Sequence, residues 1–86
     1  MRKEVNENGT IFYYNENNEL HREAGPAIEY VNGEKIWSKN GKLHREDGPA
    51  VEYASGRKEY WYNHIRYQDI KTDEEWIRFV KLIIFI

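Results

Sequence analysis

Short runs of alternating apolar and polar residues, each closed by a glycine-bearing turn, fill most of this chain. Alternation with a period of two marks half-buried β-strands. Ala27 to Val31 is one such run, Asn32-Gly33 follows, and Glu34 to Ser38 returns. Asn-Gly is the strongest two-residue hairpin signal, because both central positions of that turn need positive φ. The same pattern recurs as Ala50 to Ala54, Ser55-Gly56 and Arg57 to Tyr62. Two-residue turns would set Ile28 opposite Trp37 and Val51 opposite Tyr60. One face would then collect Ile28, Tyr30, Trp37, Val51, Tyr53 and Tyr60 as the core side. The other would hold Glu29, Ile36, Glu52, Glu59 and Trp61. Glu52 would sit across from Glu59, a like-charge pair that destabilises unless relieved. That mixed face therefore reads as one that meets solvent or a basic partner group.

The hairpins belong to a repeat. Leu20-His21-Arg22-Glu23-Ala24-Gly25-Pro26-Ala27-Ile28-Glu29-Tyr30 returns 23 residues later as Leu43-His44-Arg45-Glu46-Asp47-Gly48-Pro49-Ala50-Val51-Glu52-Tyr53. A fixed period of this length means one supersecondary unit stacked on copies of itself. Asn8-Gly9 and Thr10 to Tyr14 form a degenerate first unit, as expected of a repeat that ends a stack. Its connection, Asn15 to Glu19, is one residue longer than the corresponding stretch of the next unit.

The pattern changes after residue 67. Thr72-Asp73-Glu74-Glu75 reads as a capping box, with Thr at the N-cap and Glu three residues later. Trp76, Phe79, Val80, Ile83 and Ile84 then recur at helical spacing. The reading is one mainly β domain over 1–86: an antiparallel meander of hairpin units over 1–67 and an amphipathic helix over 72–86. Trp76, Phe79, Val80 and Ile83 are expected to face the sheet. Leu82, Phe85 and Ile86 are then left over, and an apolar excess of this kind marks association. They are expected to meet a second chain, with a two-fold homodimer as the default.

Composition narrows the function classes. There is no cysteine, which excludes a disulfide framework, a thiolate nucleophile and a thiolate metal site. Thirteen basic and fifteen acidic residues give a net charge of −2. So even a balance supplies no field for a polyanion and weighs against nucleic acid. Trp61 with Tyr60, Tyr62, Arg57, Lys58 and Arg66 could stack single-stranded bases, but cross-strand packing explains the cluster as well. The first residues lack the apolar stretch of a signal peptide. The tail from Trp76 to Ile86 is shorter than the ~20 residues that span a bilayer. A cytoplasmic protein without membrane contact is the expectation.

Most motifs have a structural reading beside a chemical one. His21, Arg22, His44 and Arg45 could bind an anion or another small ligand, or serve a small enzyme, since arginine offers a planar fork to anionic groups. A residue repeated in every unit, however, usually serves the unit's own fold. Gly25-Pro26 and Gly48-Pro49 read as turn punctuation, the glycine permitting positive φ. The loop Asn15 to Glu19 lacks the ligand spacing of a calcium loop. Three histidines in separate loops match no metal-ligand spacing. No nucleophile–base pair or phosphate loop stands out, so no catalytic residue and no cofactor are assigned.

The 23-residue period, the hairpin in each unit, the glycine-bearing turns with an aromatic four residues on, and the string Asn40-Gly41-Lys42-Leu43-His44-Arg45-Glu46-Asp47-Gly48-Pro49-Ala50 resemble the divergent variant of the MORN-repeat family. The resemblance covers about residues 8–67. His64, where the pattern has the turn glycine of Gly41, departs from it, as does the small number of units. The resemblance implies an extended, twisted meander. Such strings are common in viral, bacteriophage and bacterial proteins, which implies a small factor that binds and inhibits a host protein. The expected function is non-enzymatic protein binding through the mixed sheet face, Ile36 and Trp61, or through the tail, Leu82, Phe85 and Ile86.

Overall fold

The computed structural model describes residues 1–84. Its strands are β1 (Arg2–Val5), β2 (Ile11–Tyr14), β3 (Ile28–Glu29), β4 (Lys35–Ile36), β5 (Ser38–Lys39), β6 (Lys42–Leu43), β7 (Val51–Glu52), β8 (Lys58–Tyr62) and β9 (Ile65–Tyr67), followed by helix α1 (Asp73–Ile84). Seven of them form one open sheet in the order β1-β2-β3-β4-β7-β8-β9, and β5 pairs with β6. Every pairing is antiparallel. The open antiparallel sheet and the single C-terminal helix are thus as expected, with the β5–β6 hairpin set aside between the neighbouring strands β4 and β7.

The register is not. Tyr30 N–H donates to the Glu34 carbonyl at 2.9 Å, and Gly33 N–H donates to the Tyr30 carbonyl at 3.1 Å. The turn therefore holds three residues, Val31, Asn32 and Gly33, and only Gly33 has positive φ, at 97°. This is a type I turn closed by a left-handed glycine bulge. Tyr53 and Gly56 repeat it.

One extra loop residue moves each returning strand by one position. Ile28 pairs with Ile36 rather than Trp37, and Val51 with Glu59 rather than Tyr60. A slip of one residue sends a strand's side chains to the opposite face. Phe12, Ile28, Ile36, Val51 and Glu59 therefore form one row on one face. Trp37 and Tyr60 lie on the other face, which corrects the expected core side. Glu52 does not oppose Glu59. It stands between Lys35 and Lys58, with Glu29 across from Lys35. Alternating charges across four strands replace the expected clash, each opposite-charge pair contributing roughly 0.2–1 kcal/mol.

Two-residue turns do occur, one connection further on. Asn40 and Gly41 have φ of 51° and 79° between the paired Lys39 and Lys42. Asn63 and His64 have φ of 47° and 72° between the paired Tyr62 and Ile65. His64 thus takes the backbone of the glycine it replaces.

The unit repeats bond for bond. Arg22 N–H donates to the Ser38 carbonyl and Arg45 N–H to the Trp61 carbonyl, each at 3.2 Å. Ala27 N–H reaches the Ile36 carbonyl, as Ala50 N–H reaches that of Glu59. Gly41 N–H reaches Leu20, as His64 N–H reaches Leu43.

Helix α1 starts where its sequence says. The Thr72 hydroxyl accepts from Glu75 N–H at 3.1 Å, which caps one of the unpaired donors of the first turn. Trp76 is fully buried, and Val80 and Tyr60 are buried beside it, with Tyr62, Tyr67, Ile70 and Phe79 packed around them. Ile83 is half-buried, while Leu82 and Ile84 are exposed. The apolar stripe therefore runs past the sheet by its last turn. Trp37, expected to be mostly buried like Tyr60, is only half-buried. No helix among the described residues is long and apolar enough to cross a membrane.

Candidate protein-binding cleft

Each His-Arg-Glu loop is clamped by its own side chains. The Arg45 guanidinium lies 3.8 Å from the Trp37 ring centroid, and that of Arg22 lies 4.0 Å from Tyr13. Cation–π contact of this kind contributes ~0.5–1 kcal/mol at exposed sites, more when desolvated. Arg45 Nη1 also donates to the Pro49 carbonyl at 3.0 Å and to Glu52 at 2.9 Å. Arg22 Nη1 makes the same two bonds, to Pro26 at 3.2 Å and Glu29 at 3.3 Å. Arg45 Nε adds a bond to Asp47 at 3.0 Å.

The glycines are there for room. Gly25 and Gly48 do not have positive φ, contrary to the turn reading. A Cβ on Gly48 would sit 2.8 Å from Arg45 Cζ, and one on Gly25 would sit 3.3 Å from Arg22 Nη1. The arginine lies flat against the glycine, with its other face on the aromatic ring.

The histidines join neighbouring loops. Asn40 N–H donates to His21 Nδ1 at 2.9 Å, and Asn63 N–H donates to His44 Nδ1 at 3.1 Å. A ring nitrogen that accepts carries no proton, so each imidazole is neutral with its proton on Nε2. That proton is donated to Glu23 in one loop, at 3.0 Å, and to Glu46 in the other, at 3.1 Å.

Between the two loops lies an open cleft of about 610 Å³. One wall is Arg22 to Pro26, the floor is Trp37 to Lys39, and the far wall is His44 to Asp47. Of the expected anion-binding residues, Arg22, His44 and Arg45 line this cleft and His21 does not.

The next inter-loop space is filled. Its equivalent walls carry Arg45, Tyr60, Tyr62, Tyr67 and Ile70, and Trp76 occupies it. The Trp76 ring lies 5.5 Å from Tyr60 and 5.6 Å from Tyr67. Its indole N–H donates to the Arg45 carbonyl at 2.8 Å. Gly48 and Pro49 are buried here, whereas Gly25 and Pro26 are only half-buried. Sequence reasoning placed Trp76 against the sheet but missed this bond. Aligning the units would have found the signal: Lys39, His44 and Asp47 stand where the filled cleft has Tyr62, Tyr67 and Ile70.

Ile36 and Trp61 share the opposite face, on β4 and β8 with β7 between them. Trp61 Nε1 donates to Glu59 at 3.1 Å. Tyr53 Oη and Arg57 Nη2 donate to the same carboxylate at 2.9 and 3.2 Å, and Arg66 Nη2 lies 3.6 Å away. Burial pushes the Glu59 carboxyl up. The donors Trp61 and Tyr53 and the charges of Arg66 and Arg57 outweigh that, so the net shift is downward. Burial also raises the Tyr60 hydroxyl, helped by its 2.7 Å bond to Asp73.

Leu82 projects from the exposed side of α1, and Phe85 and Ile86 lie outside the described residues. Among the described residues no group of three or more His, Cys, Asp or Glu is placed to hold a metal ion. The Asn15 side chain folds back to accept from Asn17 and Glu19 N–H, closing the acidic loop on itself. No protein-family model, curated protein or solved structure matches the chain.

Proposed function

We propose that this chain is a non-enzymatic protein-interaction module built of MORN-like hairpin units. One observation carries the reading: the scaffold makes two equivalent clefts, and one of them already holds a tryptophan-bearing helix. A cleft that takes a helix of its own chain has the construction to take one from another. The exposed Leu82 and the mixed face around Ile36 and Trp61 are secondary surfaces for the same role. Anion binding by the repeated loops has weaker support, because Arg22 and Arg45 are already bonded to Glu29 and Glu52 and to proline carbonyls. That the partner is a host protein met in the cytoplasm rests on the family resemblance alone.

The reading is tested with a photo-crosslinking side chain at Lys39, in the open cleft, and at Val31, on a distant turn. In native cell extract Lys39 should give one dominant protein adduct and Val31 none. No specific adduct at Lys39 counts against the module.

A further inference from the structure

We infer that the open cleft takes a tryptophan-bearing amphipathic helix of a different protein, with basic residues flanking the tryptophan. The inference rests on the module reading and adds the chemistry of the partner.

The filled cleft supplies the template. There an indole enters between floor and walls and gives its N–H to the carbonyl of the loop arginine. The equivalent acceptor in the open cleft is the Arg22 carbonyl. Among the described residues nothing donates to it, and nothing accepts from the Trp37 indole N–H. An arriving tryptophan therefore meets the same acceptor at the same place in the unit.

The walls decide the flanks. Tyr62, Tyr67 and Ile70 are replaced by Lys39, His44 and Asp47, so the occupant's sides are polar where those of α1 are apolar. The charge is negative in effect. Arg22 and Arg45 are paired with Glu29 and Glu52, and the histidines are neutral. Glu23, Glu46 and Asp47 keep side-chain exposures of 70, 50 and 81%. Asp47 is bonded to Arg45, so Glu23 and Glu46, bonded to the neutral histidines, are the carboxylates that Lys39 opposes on the cleft lining. Basic groups on the partner complement them and steer its approach.

A second copy of this chain does not meet the need. Each chain carries one α1, whose Trp76 is fully buried in its own cleft. Exchanging helices between copies would empty one cleft for each one filled.

The test uses three synthetic peptides titrated into the ¹⁵N-labelled full chain. One has the α1 sequence from Thr72 to Ile84. The second carries Asp73→Lys, Glu74→Lys and Glu75→Lys, and the third adds Trp76→Ala to the second. The basic peptide should move the amides of residues 22–25, 37–39 and 44–47 and the Trp37 indole signal. Removing its tryptophan should weaken binding at least about tenfold, as loss of an aromatic anchor does. Glu46→Lys in the protein should weaken it, as should Ala24→Trp, which fills the cleft from an exposed position. Shifts centred on Tyr60, Tyr67 and Trp76 would mean that the peptide displaces α1, and would overturn the inference. Equal binding of the first two peptides would overturn it through the charge argument. If no peptide binds but Lys39 still cross-links to one protein, the partner chemistry falls and the module stands. If both fail, the module falls as well.

Discussion

Two clefts of one construction differ in what fills them. In the second, an indole ties the helix to the loop, and glycine, proline and tyrosine are buried together. In the first, the same loop backbone stands half-exposed beside a half-buried tryptophan. The loop geometry is common to both, so the helix is not needed to make it. The arginine sandwich, the histidine strut and the carbonyl clamp are sufficient within each unit. What the helix adds is burial, and with it most of the aromatic core of a small domain.

The largest effect that separates the clefts is at their tryptophans. Trp76→Ala should cost about 3–5 kcal/mol, as aromatic truncations in cores do, and Trp37→Ala less than half as much. Urea denaturation of both variants measures this, and equal losses would mean that the two clefts are equally part of the core. The glycines come next. Gly48→Ala forces a Cβ to within 2.8 Å of Arg45 and should cost roughly 1–3 kcal/mol as an overpacked site. Gly25→Ala has a looser contact, at 3.3 Å, and should cost less than about 1 kcal/mol. A reversed order would show that the arginine sandwich is tighter in the uncovered unit.

A third contrast is chemical. Glu59 occupies in the second unit the row position that Ile36 occupies in the first. Its carboxyl is held below the ordinary range, so folding releases its proton more readily. The stability it contributes is complete above the unfolded-state pKa and is lost as pH falls through the lower, folded-state value. Thermal melts between pH 7 and pH 3 should lose less on acidification in Glu59→Gln than in the wild type. Parallel curves would place the carboxyl's donors elsewhere. The smallest effect is at the helix start, where Thr72→Ala should cost about 1 kcal/mol. If the cap matters only by holding Trp76 in its cleft, Thr72→Ala and Trp76→Ala will be non-additive in a double-mutant cycle.

Much of this architecture is legible in the sequence. The period, the sequence of hairpins, the helix with its Thr72 cap and the burial of Trp76 follow from local pattern. Register does not, because Asn-Gly satisfies two turn types. At Asn40-Gly41 both residues take positive φ, while at Asn32-Gly33 only the glycine does. The discriminating signal lay in the charges. A two-residue turn puts Glu52 opposite Glu59, whereas the three-residue turn puts Glu52 opposite Lys58 and Glu29 opposite Lys35. The like-charge pair was the mark of a register one residue off. The open cleft was not legible, because it exists only where α1 does not return, and no local pattern says to which unit a helix returns.

The bond-for-bond repetition of the unit makes valency a matter of copy number. The helix fills the last inter-loop space and leaves the one before it open. A further 23-residue unit spliced in before residue 43 would find each of its hydrogen-bonding addresses already waiting on its neighbours. It would add one open cleft and leave the closed one untouched. Nearest-neighbour stacking of this kind lets a chain lengthen without redesign of its core. Binding capacity in such an array would thus rise by one berth with each inserted unit, while the helix-filled end stays as it is.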